Sequence, residues 1–300
     1  MDRVVRSLES FFFRPIPATT FAVMRIAVGS LALIWSATLL SQADPLLTWL
    51  RIDAVGDIGW WQFWPSAPDG FIVALILCLV VASALMTIGL WARPATWAVF
   101  LLVLIIHRYN PLAFNGGDFI LRSVLLLGLA LSPAGAYLSI DSWRKSGAMV
   151  WTAPQVSAWT LRFIQLHISM GYILTVLLKL RGETWLGGTA MWYALGLEEL
   201  TRFDVPSWIS TPPVGAVLGW TTLAIELGVG VGVWIRKVRP YALVAGVLLH
   251  IGIAALFEIG FFSYVMVVSY LAFLPLYTDV RGLLRYHPSG LRDIPDPSPV

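Results

Sequence analysis

Of the chain's 300 residues, 58% are hydrophobic and only 12% charged, and its mean hydropathy is +0.78. A soluble domain carries roughly twice that charged fraction, and no soluble core of this size buries so much apolar surface, so lipid must cover the remainder. The net charge of +3 is scattered over helix ends, which argues against a nucleic-acid partner, and the single cysteine, Cys78, excludes an internal disulfide and any cysteine-based metal or redox motif.

A helix needs about 20 mostly apolar residues to cross the hydrocarbon core. Residues 1–20, with Arg3, Arg6 and Arg14, precede the first such run as a cytoplasmic segment. That run, 21–41, contains Arg25 and no small-x-small cleavage site, so a retained helix is expected rather than a signal peptide. Further runs follow at 71–91, 159–178, 214–234, 241–257 and 261–277, with shorter ones at 95–107 and 118–131. Counting both short runs predicts an all-α polytopic membrane protein, a bundle of about eight transmembrane helices. One deep re-entrant hairpin around residues 110–117 is the alternative to two spans for the short pair. The transmembrane domain is expected over 21–278, and 279–300 forms a cytoplasmic Pro-rich tail.

Lysine and arginine set the expected orientation. One set of flanks holds 12 of them (Arg3, Arg6, Arg14, Arg93, Arg144, Lys145, Arg236, Lys237, Arg239, Arg281, Arg285, Arg292), the other 5 (Arg51, Arg108, Lys179, Arg181, Arg202). The richer set is cytoplasmic, with both termini, and the expected location is a bacterial-type plasma (inner) membrane. Two outer loops, 42–70 and 180–213, are rich in tryptophan, including Trp60, Trp61, Trp64, Trp185, Trp192 and Trp208. Short helices lying in the outer interface, or a simple aromatic belt, account for them.

Ionisable groups inside spans mark either a site or a buried tie. Here they are Arg25, Arg122, Arg162, His167, Glu226 and His250. Glu226 is the one acid near the centre of a span, and an interior arginine is its expected partner. Arg122 follows Asp118 by one helical turn, so a local pair is expected there. In the run from 159, Arg162, Gln165, Ser169, Tyr172 and Lys179 share a sector of about 100°. A polar stripe of that length faces the protein interior rather than lipid. His167 points the other way, as a packing histidine. Lys179 ends the stripe at the outer face, where a snorkelling side chain is the plain alternative.

Several stretches taken together carry a resemblance. They are Asn115-Gly-Gly-Asp118, Leu138-Ser-Ile-Asp141, Tyr172-x6-Lys179-Leu-x4-Trp185-x2-Gly188, and His250 followed by Phe257-Glu-Ile-Gly-Phe-Phe-Ser-Tyr-Val-Met266. In this order they resemble the HTTM family, whose transmembrane domain is shared with vitamin K-dependent γ-glutamyl carboxylase. The resemblance implies that Lys179 is the base that deprotonates a vitamin K-type hydroquinone. It also makes Arg162, Gln165, Tyr172, Trp185, Asp118 and His250 candidates for holding that quinone. No metal is expected. The chain departs from the carboxylase at Leu178, where a second lysine is found, and at Asn115–Asp118, where a histidine-containing segment is found. It is also expected to lack the large extramembrane region that grips a protein substrate. Two functions therefore stay open: quinol-dependent chemistry at the outer membrane face, or an accessory role in maturation or export of a small secreted peptide. The expected partners are membrane lipid, a quinone and such a peptide, with no nucleic acid.

Overall fold

The computed structural model describes residues 2–43, 68–109, 120–148 and 152–274. They fall into two compact units. The first holds the described residues up to 109, those from 125 to 163 and Leu274; the second holds residues 120–124 and Ile164–Phe273.

In the first unit, Asp2–Phe13, within the segment expected to be cytoplasmic, forms the helix α1. Val4, Val5, Leu8, Phe11 and Phe12 share one sector of about 120° with Arg3 and Arg6 opposite, a pattern suited to a membrane surface. A three-residue strand, β1 (Pro15–Pro17), pairs antiparallel with β2 (Gln155–Ser157), Ile16 opposite Val156. This ribbon ties together the chain entering α2 (Thr19–Ser41) and the chain entering α7 (Trp159–Lys179). The helix α3 (Asp69–Ile88) packs against α2 at Gly29, where a Cβ would come within 2.7 Å of Thr87 Oγ1. It ends at Gly89, whose φ of 72° is left-handed, and a side chain there would also strike the Arg25 guanidinium.

Arg25 is fully buried on α2. Its Nη1 donates to the carbonyls of Met86 (2.6 Å) and Thr87 (2.7 Å), its Nε to Ala134 O (3.1 Å), and its Nη2 to Leu138 O. Met86 and Thr87 lie in the last turn of α3, where carbonyls lack intrahelical partners and carry partial negative charge. Arg25 is thus a helix–helix tie. Next comes α4 (Ala92–Tyr109), whose first amide, Ala92 N, and that of the preceding Trp91 donate to Asp141 at 2.7 and 2.9 Å. A π-helical stretch, Leu121–Leu126, leads into α5 (Leu127–Leu131). The following helix, α6 (Ile140–Ser146), opens on a capping box between Ser139 and Ser142.

The helix α7 starts in the first unit and continues into the second. Two short helices follow, α8 (Glu183–Leu186) and α9 (Ala190–Leu195), then α10 (Pro212–Gly232), α11 (Arg239–Leu256) and α12 (Phe262–Ser269) with a 3-10 turn at Tyr270–Phe273. At Gly230, α10 comes so close to α7 that a Cβ would lie 2.9 Å from Ile173 and 3.3 Å from the Ser169 carbonyl. The end of α11 is fastened by Arg202, whose Nε donates to Ala254 O at 2.7 Å.

Among the described residues, five helices are long and apolar enough to cross a membrane: α2, α3, α7, α10 and α11. Three more apolar helices are shorter, at Ala92–His107, Arg122–Leu131 and Phe262–Phe273. The helical membrane character expected from composition is therefore present, with five rather than eight helices meeting the length requirement. The small ribbon, with an isolated antiparallel bridge between Thr201 and Phe257, is the departure from an all-helical chain among the described residues. Asp118, with its expected pairing to Arg122, and the aromatic segment 44–67 lie outside the described residues.

Candidate functional site

The second unit encloses a cavity of about 580 Å³. Its walls come from α7 (Tyr172, Lys179), α10 (Thr222, Glu226), α11 (His250), α12 (Met266) and the segment after α7 (Trp185), with apolar side chains between. A predominantly apolar pocket with a few convergent polar groups, in the range of 300–1,000 Å³, has the form of a small-molecule site.

Lys179 occupies the last position of α7. Helix side chains lean toward the N-terminus, and Lys179 reaches back to Glu226 rather than outward to solvent. Its Nζ donates to both carboxylate oxygens, at 2.6 and 2.7 Å. The side chains are 20% and 11% exposed, and Nζ also lies 4.6 Å from the centre of the Trp185 ring. The partner of Glu226 is therefore a lysine, not the interior arginine expected. Two of the interior arginines are engaged elsewhere: Arg25 on helix-end carbonyls, and Arg162 in the first unit, where its Nε donates to Phe11 O at 3.2 Å and its guanidinium lies over the Phe11 ring. The snorkelling alternative for Lys179 falls with the same contact.

A second polar group sits further along the same wall. Tyr172 and His250 are both buried, and the Tyr172 hydroxyl is 2.8 Å from His250 Nε2. The same hydroxyl is hydrogen-bonded to that of Tyr270. The spacing of Phe262, Met266 and Tyr270 at i, i+4 and i+8 brings Tyr270 onto the face that meets α11. Gly246 makes room for it: a Cβ there would collide with the Tyr270 hydroxyl and come within 3.0 Å of Val229. Phe262 packs edge-on against the His250 ring, with centroids 5.4 Å apart. The other ring nitrogen, His250 Nδ1, is buried without a hydrogen-bond partner among the described residues.

Of the residues proposed from sequence, Lys179, Tyr172, Trp185 and His250 thus line one cavity. Gln165 does not; it is buried and donates to Ala272 O at 2.6 Å. Ser169 accepts from Trp234 Nε1 at 2.8 Å. Arg162 lies in the first unit, and Asp118 is outside the described residues. His167, expected to pack away from the site, is on the cavity wall instead. Glu226 and Tyr270 were not among the site candidates. For Glu226 a signal existed, since it is a lone acid within a span; for Tyr270, only its position at the end of an apolar run.

Together these features define a polytopic helical membrane protein with an ion pair and a tyrosine–histidine chain opening on an internal cavity. A family model described as the HTTM domain matches residues 13–277, most of the length, and the chain belongs to that family. At the level of the family it is a carboxylase-like membrane protein. No curated protein and no solved structure matches it.

Proposed function

We propose that the cavity binds a reduced, vitamin K-type quinone and that the Lys179–Glu226 pair removes a proton from one of its hydroxyls. One observation carries this: a lysine and a carboxylate, bonded to each other, face an apolar cavity of about 580 Å³. The residues fit such a ligand, with apolar walls for a ring, Trp185 to pack on it and polar groups for its oxygens. A quinol, when bound, supplies a hydroxyl whose anion dioxygen oxidises far more readily than the neutral form.

The pair, rather than the lysine alone, is the proton-accepting unit. As a full ammonium donating to a carboxylate, Nζ has no lone pair to offer. When one ammonium proton passes to Glu226, a neutral amine stands beside a carboxylic acid, and charge is conserved within the pair. Nζ then takes the hydroxyl proton, and the resulting ammonium stays beside the new anion and stabilises it. The apolar walls limit the access of water to this exchange, with the Lys179 and Glu226 side chains only 20% and 11% exposed.

The wider setting of the proposal is a bacterial-type plasma membrane crossed about eight times, the three shorter helices included, with both termini cytoplasmic and the cavity opening outward. The test is oxygen uptake by the purified chain on addition of a short-chain naphthoquinol. Lys179→Ala is expected to lower the rate at least about 100-fold, the lower end for loss of a general base, without loss of folded protein. A Lys179→Ala protein with the parent's rate would overturn the proposal.

A further inference from the structure

One end of the first unit gathers features that the cavity does not use. There the β1–β2 ribbon brings together the chain entering α2 and the chain entering α7, and α1 stands directly before it. The end of α1 is fastened to the start of α7. Arg162 Nε donates to Phe11 O, its guanidinium lies 4.5 Å from the centre of the Phe11 ring, and Ala158 N donates to Arg14 O at 3.2 Å. Helix α6 belongs to the same end. Its Asp141 N donates to Gly89 O at 3.0 Å in the turn between α3 and α4, and the buried Tyr137 just before it clusters with Ala18, Ala22 and Ala153. Held in this way, α1 cannot swing away from the level at which two spans enter the bilayer. Yet no protein covers its apolar face, since Val4, Val5 and Leu8 are exposed. Trp91 and Trp143 are exposed at this end too, and indoles settle at headgroup level. Around them Arg3, Arg6, Arg93, Arg144 and Lys145 are all exposed, against one exposed acid among the described side chains of these elements, Glu9.

We propose that this end of the first unit binds the headgroups of anionic phospholipids. Helix α1 lies in the plane of the leaflet, with Val4, Val5 and Leu8 at the acyl boundary and the basic side chains on the phosphates. Two observations favour lipid over a soluble acidic protein. The apolar face is fixed beside the entry points of α2 and α7, where lipid is already the neighbour. Its sector of about 120° suits shallow insertion, and each basic side chain near an anionic surface adds to the attraction. The proposal stands apart from the quinol reading, because none of these residues lines the cavity.

The experiment places the full chain in nanodiscs of phosphatidylcholine containing about 30% phosphatidylglycerol, with two readouts. In a Cys78→Ala background, a nitrobenzoxadiazole label is attached at Val5→Cys or at Ser10→Cys, both exposed positions but on opposite faces of α1. Doxyl-labelled lipid should quench the label at Val5 and spare the one at Ser10. The second readout is the association of spin-labelled phosphatidylglycerol relative to spin-labelled phosphatidylcholine. The parent should prefer the anionic lipid about fivefold at low salt, the worth of about one basic side chain near the surface. About 0.5 M salt should bring that preference close to unity, and so should Arg93→Gln/Arg144→Gln/Lys145→Gln; should the triple variant fail to fold, the salt series on the parent decides. A label at Val5 as water-exposed as one at Ser10, the result for a face that serves a soluble partner, overturns the proposal. So does a parent without preference for the anionic lipid, or a preference that survives high salt.

Discussion

Replacing Glu226 with alanine leaves the Lys179 ammonium facing an apolar cavity with, among the described residues, the Trp185 ring beside it. Breaking a fully buried pair by removing one partner costs about 3–5 kcal/mol, because the remaining charge is stranded. Lys179 retains 20% exposure, so part of that penalty is relieved by water, and about 2–3 kcal/mol is the expected loss. At about 2–4 °C per kcal/mol for a chain of this size, the melting midpoint should fall by about 4–12 °C. Glu226→Gln keeps an acceptor for Nζ and should lose less. The decisive comparison is the double variant Lys179→Met/Glu226→Leu, which removes both charges and fills their space. Its midpoint should return to within about 1 kcal/mol of the parent, since apolar replacement of a buried pair is close to neutral. The assay is thermal unfolding in one detergent, followed by tryptophan fluorescence or by monodisperse recovery after heating. Glu226→Ala melting with the parent, or a double variant no better than the sum of the singles, would refute an energetically coupled pair.

Arg25→Met removes four hydrogen bonds from a fully buried site and should cost at least about 3 kcal/mol, with Arg25→Lys failing to rescue because an ammonium cannot reproduce the guanidinium fork; recovery of monodisperse protein measures it, and parent-like yields of both would contradict the tie. Gly246→Ala drives a methyl group into the Tyr270 hydroxyl and should destabilise by about 1–3 kcal/mol, whereas Gly252→Ala, on the same helix and in open space, should melt with the parent. For orientation, single cysteines in a Cys78→Ala background decide: one at the exposed Ser207 should react with an impermeant maleimide in whole cells, and one at the exposed Ser146 should not. Labelling at Ser146 alone inverts the topology.

Much of the fold was legible because lipid imposes it. Continuous apolar runs have one stable outcome in a membrane, since every backbone polar group must be satisfied within the helix. Runs beginning at 71, 159, 214 and 241 accordingly became α3, α7, α10 and α11 with ends shifted by a few residues. Features set by pairing rather than by lipid were not legible. The β1–β2 ribbon joins three-residue segments about 140 residues apart, each too short to read as a strand, and β1 holds two prolines besides. The helical nature of residues 2–13 was lost under their charges, although the Val4, Val5, Leu8, Phe11, Phe12 spacing carries it.

The site was legible by residue type but not by direction, and α7 shows why. Its polar stripe is centred about 100° round the helix from the face that lines the cavity, which runs through His167, Ile168, Gly171, Tyr172, Thr175 and Lys179. The two sectors overlap only at Tyr172 and Lys179. The far edge of the stripe is spent on ties, Gln165 to Ala272 and Ser169 to Trp234. Both uses satisfy the same rule, that polar groups turn away from lipid, so periodicity cannot separate a binding wall from a helix–helix bond. What separates them is chemistry on the neighbouring helices. Glu226 and His250 each meet one member of the stripe, and neither contact can be placed from α7 alone. A lone acid and a lone histidine in two other spans were the available signal. Matching them to Lys179 and Tyr172, rather than to an arginine, required the close approach of α10 at Gly230 and the room made for Tyr270 at Gly246. Small residues that admit a neighbour thus did as much to build the site as the ionisable ones that occupy it.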